Sequence, residues 1–251
     1  MIHNLPRGLR DFTPTEYAKI RYIYEKFIDT SEKFCFSIME PSTIELFETL
    51  ELKSGSEIEK EIYTFYDKGG RKLALRFDLT VGLTRYVVSN SQIPKPIKVA
   101  SYGSMWRYDE PQYGRYRNFY QWDAEIFGAD IIESGGEIIN FSEQLLNNIG
   151  LKNIQILVSS RKVLEIILKK HLPASTDFGN VLRVIDKRDK IGLEKMREML
   201  CEINKSEDGI DKIIELASIS DTKKNAIKRI EEINRDIIES DGGKELINTL
   251  E

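Results

Sequence analysis

Hydrophobic spacing changes character partway along the chain. Ile20, Ile23, Tyr24, Phe27 and Ile28 recur at helical intervals. In front of them Thr13-Pro14-Thr15-Glu16 has capping-box spacing, with proline at the first helical position. A short apolar run, Phe36 to Met39, predicts a strand stopped by Pro41. Ile62–Tyr66 and Lys72–Arg76 flank Asp67-Lys68-Gly69-Gly70, the pattern of a hairpin. Asp78 is placed to cap a helix running through Arg85 and Val88. Beyond Gly128 the period is helical, near residues 135–149, 160–171, 178–187, 191–204, 209–217 and 221–239, interrupted by one strand-like run, Ile154–Val158.

Composition sharpens this division. All 11 tyrosines, both tryptophans and 9 of 11 phenylalanines lie within residues 1–128, where pleated surfaces would use them, while Ile, Leu, Lys and Glu dominate the remainder. The first half is therefore expected to contain sheet and the second to be mostly helical. At 251 residues with 41% hydrophobic and 31% charged positions, the chain can bury a sizeable core and is neither disordered nor fibrous. No apolar run reaches membrane-spanning length, and MIHNLPRGLRDF has no signal-peptide pattern. Two distant cysteines, Cys35 and Cys201, make no disulfide framework, which fits a reducing cytoplasm. His3 and His171 form no zinc spacing and are expected on the surface; Cys35, among aromatics, is expected in the core. A net charge of -4 favours localised phosphate contacts over a broad nucleic-acid patch.

Chemistry concentrates in ASYGSMWRYDEPQYGRYRNFYQWDAEIFG, residues 100–128, which reads as two strands joined by the loop Glu110–Tyr116. Strand side chains alternate faces, so parity sorts them. Even positions carry Tyr102, Trp106, Tyr108, Tyr120, Trp122, Ala124 and Ile126, an apolar and aromatic face. Odd positions carry Gly103, Arg107, Asp109, Phe119, Gln121, Asp123 and Glu125. Such a face can be merely solvated. Against that reading, Arg115 and Arg117 straddle Tyr116 beside a carboxylate-lined strand, and arginine forks recognise phosphate while aromatics stack on nucleobases.

The stretch resembles motif 2 of the class II aminoacyl-tRNA synthetases, in the form found in the histidyl-tRNA synthetase family. The arginine Arg107, the acid Asp109 and then Gly114-Arg115-Tyr116-Arg117, Phe119, Gln121 and Glu125 carry the likeness. Pro6-Arg7-Gly8 with Asp11, Asp67–Arg71, Arg76–Thr80, Ile154–Arg161 and Val181–Lys187 resemble further segments, so the resemblance covers nearly the whole chain. It implies a mixed α/β fold with a class II antiparallel sheet and flanking helices. It also implies catalytic-domain residues 1–170 followed by a helical insertion domain, residues 171–251. The implied activity joins histidine to ATP, with Mg2+ on the phosphates, and passes histidine to tRNA(His) in a cytoplasmic homodimer.

Carried over, Arg107 would hold the α-phosphate as the catalytic arginine, Asp109 would accept from the adenine amino group and Phe119 would lie under adenine. Arg115 would meet the outer phosphates; Gln112, Arg115 and Arg117 would face the tRNA acceptor end. Asp78 and Thr80 would take the histidine ammonium, Gln121 its carboxylate end and Glu125 its imidazole. No metal-ligand set stands out. At the family's motif 1 Cys35 replaces a glycine and Pro41 falls one place early. Motif 3 and an anticodon-binding domain have no counterpart, which implies an N-terminal fragment inactive alone. The rival is the non-catalytic regulatory subunit of ATP phosphoribosyltransferase, which shares this core but tends to lose parts of the ATP-binding loop.

Overall fold

A computed structural model describes residues 4–203 and 207–250; His3 lies outside them. Residues up to Asp130 with Glu137–Gln155 form one compact unit, and Ile131–Gly136 with Ile156–Glu251 form a second. The division falls at Gln155 rather than after residue 170, because the helix Arg161–His171 buries Val163, Ile167 and Leu168 in the core of the second unit.

In the first unit, helix α1 (Pro14–Lys33) starts as its sequence requires. Thr13 accepts from the Glu16 amide, Glu16 accepts from the Thr13 amide, and Pro14 opens the helix. Three strands form one sheet in the order β1 (Ser37–Ile38), β5 (Ile97–Trp106), β6 (Asn118–Phe127). A second sheet has the order β2 (Ile44–Leu46), β4 (Lys72–Leu75), β3 (Thr64–Tyr66). The pairing is antiparallel except at β1, which runs parallel to β5 because the intervening chain crosses over before returning beside it. Helices α2 (Phe47–Ser54), α3 (Thr80–Ser89) and, from Glu137 on, α4 (Ile131–Asn148) also belong to this unit.

The β5–β6 ladder is long and regular, and it pairs odd residues with odd: Ser101 opposite Asp123, Gly103 opposite Gln121, Met105 opposite Phe119. Its even face packs as parity predicted. Tyr102, Trp122, Ala124 and Ile126 join Phe27, Phe36, Phe141 and Leu145 in one core. Burial there pushes the Tyr102 phenol up to about 12 and raises that of its stacked neighbour Tyr120.

Cys35 corrects its core assignment: it is exposed and adopts φ 58°, in the left-handed region. Helix α1 ends there by a turn, with Phe36 N–H donating to the Ser31 carbonyl, and only glycine takes such a turn without strain. Cys35→Gly is therefore expected to raise stability by about 1 kcal/mol, read as a higher urea midpoint with unchanged slope.

The regular elements described in the second unit are helices: α5 (Arg161–His171), α6 (Phe178–Asp186), α7 (Arg188–Ile203), α8 (Glu207–Ala217), α9 (Lys223–Glu239) and α10 (Asp241–Thr249). Val163, Ile167, Leu168, Val181, Met196, Ile210, Ile213 and Ile237 close its core. The strand expected at Ile154–Val158 does not form; that run is irregular, with Leu157 exposed. Among the described residues no helix is long and apolar enough to cross a membrane.

Candidate functional site

The odd face of β5 and β6 is the floor of the site. From β5 it receives small or apolar groups, Ser101, Gly103 and Met105; from β6 it receives Phe119, Gln121, Asp123 and Glu125. The ladder continues past both strands, since Arg107 N–H donates to the Arg117 carbonyl. Phe119 to Glu125 spans about 20 Å along the strand, room for two small ligands end to end.

Arg76 builds the wall above this floor. Its side chain is buried, with Nη1 donating to the Pro41 carbonyl at 2.7 Å, Nε to the Ser104 carbonyl at 3.0 Å and Nη2 to Glu40 at 2.8 Å. Its backbone also joins the two sheets, the amide donating to Thr43 and the carbonyl accepting from Trp106. Gly103 lies directly under the guanidinium: a Cβ there would stand 2.4 Å from Nη2. The glycine is required by that approach rather than by its dihedral angles.

Arg76 leads into Phe77-Asp78-Leu79-Thr80, which turns over the floor into α3. Asp78 accepts from the Val81 amide at 3.1 Å, the capping role its position suggested. The Thr80 hydroxyl donates to Asp123 at 2.7 Å. The Phe77 carbonyl accepts from Arg107 Nε at 3.0 Å, while Arg107 Nη2 reaches Gln121 at 3.4 Å and its guanidinium lies 5.0 Å from the centre of the Phe119 ring. Arg107 is thus held on three sides with its fork over the floor. A pocket of about 270 Å³ opens beside it, lined by Ile58, Glu61, Phe77, Arg107, Asp109 and Arg115.

The loop between the strands closes by a tight turn in which Gln112 and Arg115 exchange backbone hydrogen bonds, with Tyr113 fully exposed at the tip. Arg115 pairs with Asp109 at 2.8 Å. Arg117, expected beside it as a tRNA contact, turns inward instead. It is buried, donates to the Asp109 and Arg7 carbonyls at 3.0 and 3.2 Å, and packs 3.9 Å from the Tyr108 ring. The reason is a staple: the Arg117 amide donates to the Gly8 carbonyl, and Gly8 takes φ 82° with the Arg117 side chain against it. Arg10, ion-paired with Glu16, lies 4.0 Å from the Tyr116 ring and fixes the other side of the loop.

The structure therefore gathers Asp78, Thr80, Arg107, Asp109, Arg115, Phe119, Gln121 and Glu125 on or around one face, with Gln112 on the loop turn above. It adds Arg76, Glu61 and Asp123. Asp123 had a sequence signal in its shared parity with Gln121 and Glu125, and Arg76 lay within the matching Arg76–Thr80 segment without a role of its own.

A long antiparallel ladder carrying an arginine and carboxylates, beneath a turn that caps a helix, is the class II aminoacyl-tRNA synthetase arrangement. Solved structures agree on the fold: histidyl-tRNA synthetase from Nostoc sp. PCC 7120 aligns with a TM-score of 0.81 at 20% identity, covering 100% of this chain and 56% of that one. An ATP phosphoribosyltransferase regulatory subunit/histidyl-tRNA synthetase from Bacillus halodurans aligns at 0.82 and 20%, covering 99% and 63%. The family model described as Histidyl-tRNA synthetase matches residues 8–247. The chain belongs to the histidyl-tRNA synthetase family. Histidine--tRNA ligase of Pyrococcus abyssi is 37% identical over 228 residues, 90% of this chain and 52% of that protein. The Treponema denticola ligase is 38% identical over 219 residues, 87% and 48%. The chain spans about half the length of the curated relatives it matches.

Proposed function

We propose that this chain supplies the motif 2 part of a histidine–tRNA ligase, binding ATP and histidine end to end on the odd face of β6. The observation that carries this reading is the single strand face that presents Phe119, Gln121, Asp123 and Glu125 in order, with Arg107 held above its ATP end. Adenine would lie on Phe119 with its amino group donating to Asp109, and Arg115 would leave Asp109 for the outer phosphates. Histidine would place its ammonium by Asp78 and Thr80, its carboxylate end by Gln121 and its imidazole by Glu125.

The histidine carboxylate is already ionised, so no general base is needed for the first step. Its oxygen forms a bond to the α-phosphorus, the bond to the β-phosphate oxygen breaks, and pyrophosphate leaves. Arg107 donates to the α-phosphate oxygens and offsets charge developing there, while the face supplies orientation. In the second step a hydroxyl of the terminal ribose of tRNA(His) attacks the acyl carbon, the bond from that carbon to the phosphate oxygen breaks, AMP departs and the hydroxyl proton is released. The Gln112–Arg115 turn would face that acceptor end. Magnesium would travel with ATP's phosphates: among the described residues no three His, Cys, Asp or Glu side chains come together to hold it. Exposed Ile44, Leu46 and Phe65, which share one face of the second sheet, fit a self-association surface for a homodimer. The intact Arg107, Arg115 and Phe119 set favours the enzyme over the regulatory-subunit reading.

Glu125→Gln tests the assignment. It is expected to weaken histidine binding by about ten- to a hundredfold, the loss of one charge-assisted hydrogen bond at about 1.5–3 kcal/mol, while ATP affinity stays nearly unchanged. Calorimetric titration of both ligands measures this; unaltered histidine affinity removes Glu125 from the site.

A further inference from the structure

The Thr80–Asp123 contact has a chemical consequence. A threonine hydroxyl has one proton and two acceptor lone pairs. Here the proton is committed, since Oγ1 donates to Asp123 Oδ2 at 2.7 Å, in the charge-assisted range. What Thr80 offers the face is then acceptor capacity alone. Asp123 is fixed for this role by the ladder: it sits opposite Ser101, a fully buried side chain too small to cover it, and between Gln121 and Glu125 on the same face. Thr80 is fixed from the other side, as the first residue of α3, where Asp78 accepts from the Val81 amide.

We infer that Asp123 is a positioning residue that sets the proton of Thr80, making the hydroxyl an obligate acceptor and so selecting a ligand that carries an ammonium at that point. The inference rests on the reading that this face binds histidine and adds to it a residue outside the expected contacts. An ammonium has only donors to give and meets a hydroxyl that can only accept. A ligand lacking that donor gains nothing from the arrangement. With asparagine at 123 the partner is neutral and presents donors as well as an acceptor, so the Thr80 proton is no longer held away from the face.

The test compares binding of histidine with that of imidazolepropionate, which has the same ring and carboxylate but no amino group, by equilibrium titration of this chain. Asp123→Asn is expected to lower histidine affinity by about tenfold and leave imidazolepropionate unchanged. In the Thr80→Val background, Asp123→Asn is expected to cause no further loss, because its effect travels through the hydroxyl. Thr80→Ser, which keeps the hydroxyl, is expected to retain the preference for histidine that Thr80→Val loses, and it tests the same point without altering Asp123. An equal loss for both ligands overturns the inference in favour of a merely structural role. A full tenfold loss in the Thr80→Val background overturns it in favour of direct charge attraction. If the unaltered chain binds histidine and its preference over imidazolepropionate is unmoved by Asp123→Asn, the inference alone falls. If the unaltered chain binds no histidine at all, the functional reading falls and takes the inference with it.

Discussion

Arg76→Ala should destabilise the sheet unit by about 3–5 kcal/mol, chiefly through the two carbonyls it leaves without a donor. The substitution strips donors from the Pro41 and Ser104 carbonyls, leaves Glu40 without its partner and empties the space over Gly103. Each buried carbonyl left unsatisfied costs about 1–3 kcal/mol, so the two carbonyls alone approach the total. Trp106 and Trp122 both lie on β5 and β6, so tryptophan fluorescence follows this unit during urea denaturation. Arg76→Lys should fall between the two, since one ammonium cannot reach three acceptors in the guanidinium's fork geometry. A midpoint unchanged by Arg76→Ala would show that the wall above the floor stands without it.

Phe141→Ala should cost a similar amount, about 3–5 kcal/mol, by a different route. Its ring is 2% exposed and lies 5.2 Å from Phe36, 5.5 Å from Phe34 and 6.3 Å from Phe27, two of the three contacts edge-on. Truncation leaves a cavity walled by three aromatic rings that cannot collapse together. Phe141→Leu should recover much of the loss by refilling the volume. Thermal unfolding of the three proteins side by side gives the order; equal midpoints for alanine and wild type would sink the packing account.

Local chemistry made some elements legible in the sequence. Asp67 accepts from the Gly69 and Arg71 amides, each at 2.9 Å, so the turn was readable from an acid followed by glycines. The face of β6 was readable because a regular antiparallel ladder preserves parity over its whole length. Elements stabilised from far away were not readable. Strand β2 has three residues, and its central Glu45 is buried by an ion pair with Arg85 at 2.8 Å, forty positions along the chain. Helix α10 was missed because Gly242-Gly243 reads as a break. Yet Ser240 caps it through the Gly243 amide, and a Cβ on Gly243 would stand 2.1 Å from the Ile237 carbonyl. Those glycines serve close packing of one helix on another. Ile154–Val158 shows the converse, since β-branched residues make a strand only where an edge is available to pair with.

The site divides along the same line. Residues proposed to contact ligand came from motif 2 spacing and the matching Arg76–Thr80 segment, whereas Arg76 and Glu61 were given no role of their own, because their importance lies in which backbone they hold. The Arg76 guanidinium bonds two carbonyls from different segments, and Glu61 reaches the site beside a carbonyl that accepts from Tyr108. Nothing in a linear spacing encodes that.

The staple between Arg117 and the Arg7–Gly8 backbone changes how variation at the start of the chain should be classified. Gly8 sits about a hundred positions before the loop, yet the loop's backbone and its guanidinium both terminate on that short strap. A bulky side chain at Gly8 would have to adopt φ 82° and displace the Arg117 stem. Its first effect would be on the setting of Asp109 and Arg115, with the hydrophobic core untouched. Mutational surveys that rank positions by their distance along the chain from the Gln112–Arg115 turn would file such variants as peripheral. Arg7 and Gly8 behave as a detached part of the loop between β5 and β6.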